Sequence, residues 1–286
     1  YEAIKHEAQN AEALMCMLTD KIDRELIDAC PKLKIIATMA VGYDNIDVTY
    51  ATQKGILVTN TPGVLTNATA DTAFALILAV MRRVVEGDAM VREGKFPAWA
   101  PFNFLGSEVA GKTIGIVGFG RIGQAVARRA LGFDMKVLYY ANSQNAERDA
   151  LGTFTDLASL LQQSDIVSLH VPLTPATMYM INTEELKLMK PTAFLINTAR
   201  GAVVNEQALY KALKNKAIAG AGLDVYEREP ILYPDLNQLP NTVLLPHVGS
   251  ATLETRIKMA EMCFKAISMV LKGEKPENCL NWVVNK

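Results

Sequence analysis

Three short signatures carry an arginine, a glutamate and a histidine. Arg200 lies in Asn197-Thr-Ala-Arg-Gly201, Glu229 in Glu227-Arg-Glu-Pro230, and His247 in Leu245-Pro-His-Val-Gly249. Upstream of all three stands Gly118-Phe-Gly-Arg-Ile-Gly123. A guanidinium fork suits bidentate recognition of a carboxylate. A carboxylate touching an imidazole favours the imidazolium, and a loaded imidazole can donate a proton. A glycine-rich turn opening a helix can cradle dinucleotide phosphates. Reduction of a 2-oxo acid by a nicotinamide cofactor needs these four parts.

Such residues work only if the elements bring them together. From about Gly111 onward, apolar β-rich runs alternate with helical patterns. The strand candidates are Thr113–Val117, Lys136–Tyr140, Asp165–Val171, Ala193–Asn197, Ile218–Asp224 and Thr242–Leu245. Helical stretches fall between them near Ile122–Leu131, Leu157–Gln163, Thr183–Met189 and Glu206–Lys214. Strands apolar on both faces and separated by helices indicate a doubly wound parallel sheet. Arg200, Glu229 and His247 then follow three successive strands, at the sheet end where open α/β folds bind ligands. Singly, Arg200 and Glu229 would pass for a surface ion pair of little energetic worth. Their shared position with His247 argues for a site. The other two histidines have plainer settings. His6 lies on a polar helix, and His170, within Ile-Val-Ser-Leu-His-Val, is expected to be a core residue holding one backbone hydrogen bond.

The glycine motif follows the strand Thr-Ile-Gly-Ile-Val and opens a helix at Arg121-Ile122-Gly123, the context it requires. Gly118 is expected to make the tight turn, Gly120 to let backbone approach a pyrophosphate, and Gly123 to let helix and strand pack closely. The residue discriminating NAD from NADP should end the next strand, where the chain reads Lys136-Val-Leu-Tyr-Tyr-Ala-Asn142-Ser143. No carboxylate stands there to take both ribose hydroxyls or to repel a 2′-phosphate. Asn142 and Ser143 can donate to such a phosphate, with Arg121 or Arg148 in reach. The missing acid therefore favours NADPH over NADH.

Before Gly111, Ala13–Leu18, Leu33–Val41 and Gly55–Val58 read as three further strands. A long helix follows, with Ala70, Ala73, Phe74, Ile77, Leu78 and Met81 on one buried face. Gly94–Gly106, with Pro97, Trp99 and Pro101, reads as a loop linking two domains. Near the C-terminus, Ile257, Ala260, Phe264, Ile267 and Leu271 mark the face of a helix expected to pack on the N-terminal region. The expected division is a smaller substrate domain, residues 1–70 and 254–286, into which a cofactor domain, residues 71–253, is inserted.

The 286 residues suffice for two modest domains. A net charge of −1 gives no electrostatic footprint for nucleic acid or an anionic membrane. Cys16, Cys30, Cys263 and Cys279 show no C-x-x-C pairing, so neither a zinc site nor a disulfide framework is indicated. Reduced thiols in a cytoplasmic protein are expected. The apolar run Ala73–Met81 spans nine residues, too few for a bilayer, and no signal peptide is visible. The chain begins at Tyr1 without an initiator Met.

The whole chain resembles the D-isomer-specific 2-hydroxyacid dehydrogenases, above all over Gly118–Gly123, Asn197–Gly201, Asp224–Pro230 and Pro246–Thr252. The step of 29 residues from Arg200 to Glu229 (229 − 200) matches the family. The resemblance implies a Rossmann cofactor domain and a flavodoxin-like substrate domain. It implies that Arg200 binds the 2-oxo carboxylate, His247 donates the proton and Glu229 orients it. It further implies backbone contacts to that carboxylate from Val41 and Gly42, and cofactor contacts from Thr69, Gly118, Gly120, Arg121, Ile122, Gly123, Asn142, Ser143, Pro172, Thr198, Asp224 and Gly249. The segments Thr61–Asp71 and His247–Arg256 resemble the glyoxylate/hydroxypyruvate reductase branch, with 2-ketogluconate reductases as neighbours. A homodimer yielding a D-2-hydroxy acid is expected. The family's first strand, helix and second strand have no counterpart here, as in a chain truncated before Tyr1. A dinucleotide-sensing binding protein of the same fold and an inactive truncated paralogue are the alternatives. Asn142 departs from the arginine that NADP-using relatives often carry.

Overall fold

Ten strands form two separate parallel sheets in the computed structural model, which describes residues 1–282. The chain divides into two compact units, one made of Tyr1–Leu65 with Ser250–Lys286 and the other of Thr66–Gly249. The first boundary falls where helix Thr66–Met81 begins and the second within the loop before Leu253, five and four residues before the positions 70 and 253 read from pattern. The helix Thr66–Met81 belongs entirely to the second unit.

In the first unit, β1 (Ala13–Cys16), β2 (Ile35–Thr38) and β3 (Leu57–Thr59) pair in that order. Alternating side chains divide between two apolar clusters. Ile36 and Val58 join Leu26, Ile27 and Ala51 from the short helices Arg24–Asp28 and Val48–Gln53. Ile35 and Ala37 face Cys263 and Ala266 of the long helix Leu253–Leu271.

That helix corrects part of the pattern-based reading. Its buried face carries Thr255, Met259, Cys263 and Ala266. Ile257, Phe264 and Leu271 are exposed, Phe264 at 64 %. The helix packs on the N-terminal strands as expected, and of the expected face Ile267 lies against the same cluster as Cys263 and Ala266.

The second unit holds β4 (Thr113–Val117), β5 (Lys136–Tyr140), β6 (Thr153–Phe154), β7 (Ile166–Leu169), β8 (Phe194–Asn197), β9 (Gly220–Leu223) and β10 (Thr242–Leu244). All pair in parallel in the order β10-β9-β8-β7-β4-β5-β6. The order reverses at β4, so the crevice between β4 and β7 is the topological switch point. Successive residues again face opposite layers. Ile114, Ile116, Phe194 and Ile196 pack with helices Thr66–Met81 and Arg121–Leu131. Val117, Val167, Leu195 and Leu223 pack with helices Leu157–Gln163, Thr183–Leu188 and Glu206–Lys214. Burial of each large aliphatic side chain contributes roughly 1.5–3 kcal/mol, so the two apolar layers fix the strand ends firmly.

Gly94–Gly106 is irregular, as its prolines require, but it lies inside the second unit and does not link the two. It returns to the end of helix Thr66–Met81, where Ser107 N donates to Met81 O at 2.7 Å.

Candidate active site

The three signature residues emerge from the C-terminal ends of adjacent strands in the second unit, Arg200 after β8, Glu229 after β9 and His247 after β10. His247 Nδ1 and Glu229 Oε2 are 2.6 Å apart, with the two side chains 30 % and 31 % exposed. Glu229 Oε1 accepts from Tyr226 N at 3.0 Å, which fixes the carboxylate plane. Burial pushes the Glu229 carboxyl upward. The His247 hydrogen bond, the Tyr226 amide and the charges of His247 and Arg200 outweigh that and hold it below the usual range. Glu229 is thus an anion near neutral pH.

Arg200 is half-buried on a tight arch. Asn197 Nδ2 donates to Arg200 O at 2.9 Å and Asn197 Oδ1 accepts from Ala199 N at 3.0 Å, so the asparagine ending β8 shapes the arch. Gly201 follows because nothing larger fits: a Cβ there would lie 1.8 Å from Tyr226 C. The signature glycine thereby sets the spacing between the Arg200 arch and the Glu229 loop.

His247 takes a left-handed conformation, φ +54°. For a residue with a Cβ this costs on the order of 1 kcal/mol and persists only where neighbours enforce it. Asp224 supplies the enforcement. Its Oδ1 accepts from Val248 N and its Oδ2 from Gly249 N, each at 2.7 Å. Burial raises the Asp224 carboxyl against these two amide bonds. Tyr226 Oη also donates to Leu245 O at 2.9 Å. The sequence marks Asp224 only as a cofactor contact. Its service to the His247 loop could have been suspected only from its place at a strand end, one strand away.

The glycine loop stands at the switch point. Gly118 has φ +94°, and a Cβ on it would lie 2.6 Å from His170 C. On Gly123 a Cβ would lie 2.2 Å from Gly118 O, so helix and strand pack closely there. Gly120 differs: a Cβ on it would meet nothing within 4 Å. It is also the N-cap of helix Arg121–Leu131 and makes no side-chain cap bond. An open cradle beside a helix N-terminus fits the pyrophosphate of a dinucleotide. Arg121 is exposed and Ile122 partly buried at its rim.

After β5, Asn142 and Ser143 are exposed, and Arg148 Nη1 donates to Ser143 O at 2.8 Å. Thr69 and Asp224 both flank Gly249, where a Cβ would lie 3.0 Å from Asp224 Oδ2 and 3.6 Å from Thr69 Cγ2. Pro172 is exposed beyond β7, and Thr198 is buried beyond β8. These groups line the same sheet end as the glycine loop. Val41 and Gly42 lie in the first unit, in the bend after β2, where Val41 O accepts from Asn60 Nδ2 at 2.8 Å.

His170 is partly buried beside Gly118, but its ring partner is a side chain: Nε2 lies 2.8 Å from Ser168 Oγ. The expected backbone bond to the ring is replaced because Ser168, two residues earlier, shares its face of the strand. Burial lowers the His170 pKa to about 3, so the ring is neutral near neutral pH. His6 is exposed on the helix Glu2–Glu7. Among the described residues, no His, Cys, Asp and Glu cluster could hold a metal, and no helix is long and apolar enough to cross a membrane.

Residues 74–249 match the D-isomer specific 2-hydroxyacid dehydrogenase NAD-binding domain. The chain belongs to the D-isomer-specific 2-hydroxyacid dehydrogenases. Glyoxylate reductase of Thermococcus litoralis is 56 % identical over 96 % of this chain and 85 % of its own length. Glyoxylate reductase from Paecilomyes thermophila superposes with a TM-score of 0.89 at 37 % identity, covering 98 % of this chain and 87 % of that one. An NADPH-dependent glyoxylate/hydroxypyruvate reductase from Sinorhizobium meliloti, solved with NADP and malonate, gives 0.90 at 34 % identity over 96 % and 85 %. Membership of this family brings a nicotinamide dinucleotide as the redox cofactor.

Proposed function

We propose that this protein reduces glyoxylate to glycolate, and hydroxypyruvate to the D-2-hydroxy acid, with His247 donating the proton. The observation that carries the reading is the His247–Glu229 contact of 2.6 Å next to a half-buried arginine, all on one sheet end with the glycine loop. Glu229 holds Nδ1, so Nε2 is the ring nitrogen left to serve a substrate oxygen. Arg200 takes the substrate carboxylate by its fork and polarises the carbonyl as negative charge develops. The bound nicotinamide supplies the hydride. Its phosphates are assigned to the backbone of Gly118, Gly120 and Arg121–Gly123. Thr69, Pro172, Thr198, Asp224 and Gly249 are assigned to the rest of the cofactor.

NADPH is the preferred form in this reading, because no acid stands at residues 141–146 directly after β5 and Arg148 is held at Ser143. The chain acts as a cytoplasmic homodimer. Three buried cysteines and a fourth unpaired one suit a reducing compartment. For the dimer, Trp99 and Phe102 are 83 % and 84 % exposed on an arm that also shows Val91, Phe96 and Leu105. Such a patch on a soluble chain calls for a partner, and Trp99→Glu is expected to yield monomers in light scattering.

Oxidation of NADPH and NADH followed at 340 nm with glyoxylate, hydroxypyruvate and 2-ketogluconate tests the whole reading. Turnover with the first two, faster with NADPH, is expected. Nucleotide binding without turnover on any of the three would replace it with a dinucleotide-sensing role.

A further inference from the structure

Beyond the ends of β8 and β9 the strand ladder stops, its last bond running from Asp224 N to Asn197 O at 2.9 Å. Arg200 and Glu229 both project past that point. Their relative placement depends on what ties the arch to the loop.

Two carboxylates make such a tie. Glu227 Oε1 accepts from Glu206 N at 3.2 Å, and Glu206 Oε1 accepts from Glu227 N at 2.9 Å. Each side chain thus holds the other residue's backbone. Glu206 is the first residue of helix Glu206–Lys214, so its amide is one of the donors that the helix leaves unsatisfied. The arch Arg200–Val204 leads directly into this helix, and Glu227 stands two residues before Glu229. The same junction contains the Gly201–Tyr226 approach.

The arrangement is costly, which argues that it does something. Glu206 is only 5 % exposed, and its carboxyl is raised by burial and by the charges of Glu227 and Glu229. A helix start needs no buried acid, since Asn205 already caps it through Ala208 N at 3.0 Å. A glutamate, however, is long enough to reach the amide on the neighbouring loop.

We propose that Glu206 and Glu227 are positioning residues, a reciprocal carboxylate–amide clamp that registers Arg200 against the Glu229–His247 pair. The clamp rests on the reading of those three residues as the reducing site. Its loss shifts the guanidinium relative to the imidazole, and a shift of about 1 Å between reacting groups can cost on the order of a hundredfold in rate.

Glu227 is the residue to change, because it is only partly buried and tolerates substitution better than Glu206. Glu227→Ala and Glu227→Gln are compared with the unaltered full-length chain in glyoxylate turnover. Oxalate binding to the NADPH complex is measured by calorimetry, and NADPH affinity by fluorescence. Glu227→Ala is expected to lower kcat/KM and weaken oxalate binding at least tenfold, with NADPH affinity within about twofold. Glu227→Gln is expected to recover most of the loss, because its amide oxygen still accepts from Glu206 N. Wild-type kinetics and oxalate affinity in Glu227→Ala overturn the clamp. So does a Gln variant as impaired as the Ala variant, or a parallel loss of NADPH affinity. Absence of turnover in the unaltered chain would instead sink the reducing function, and oxalate binding then decides on the clamp alone.

Discussion

The glycine loop and the candidate-site side chains sit on the same sheet end yet are built by opposite means. Gly118, Gly120 and Gly123 work through atoms they lack, two leaving room for other backbone and one leaving an open cradle. Arg200, Glu229, His247 and Asp224 work through charged or polar side chains held by hydrogen bonds of 2.6–3.0 Å. A site made of backbone is indifferent to pH and intolerant of added volume. A site made of side chains tolerates changes in volume but depends on protonation and register.

The largest effect should come from the side-chain region. His247→Ala is expected to lower kcat by about 10²–10⁴-fold, the range of a general acid, while nucleotide affinity stays unaltered; near-normal turnover in a stopped assay would refute the proton-donor role. Arg200→Lys should raise KM for glyoxylate steeply, since a point charge does not replace a fork, again with little effect on nucleotide binding. An unchanged KM would remove Arg200 from carboxylate recognition.

Within the backbone region the glycines themselves divide. Gly123→Ala forces a Cβ onto Gly118 O and should cost about 1–3 kcal/mol of stability, as overpacking does, read as a lower melting temperature. Gly120→Ala meets no protein atom and should leave melting unchanged while weakening nucleotide binding at least tenfold. Equal behaviour of the two variants would mean that Gly120 faces no ligand.

A further effect belongs to the glycine-loop region, where His170 stands beside Gly118. Its folded-state pKa of about 3 lies below the ordinary 6.5. The native state therefore resists protonation while the unfolded chain accepts it. Stability from this group is complete above pH 6.5 and is lost progressively as pH falls toward 3. His170→Asn should flatten that decline in urea titrations at successive pH values. A parallel decline in wild type and variant would show that the ring is hydrated in the native state.

The same contrast explains what could be read from the chain without its fold. The glycine loop was legible because its parts are consecutive and follow a strand. Helix Thr66–Met81 was legible because its apolar face is nearly continuous. Helix Leu253–Leu271 carries competing apolar residues, and only its packing on β2 selects Cys263 and Ala266, with Ile267 beside them, over Ile257 and Phe264. The two-residue strand β6 escaped notice, being too short to carry a period.

At the candidate site the types and order of Arg200, Glu229 and His247 stand in the sequence, because each belongs to a short local signature. Sequence also determines the alternation of strand and helix that must place them at one end of a sheet. Tertiary structure alone decided the rest. The left-handed turn at His247 rests on Asp224, the arch spacing on Gly201 against Tyr226, and the junction on Glu206 and Glu227. Each of these joins residues more than 20 positions apart in the chain. Contacts of that kind arise when strands pair, and no local pattern records which amide a distant carboxylate will meet.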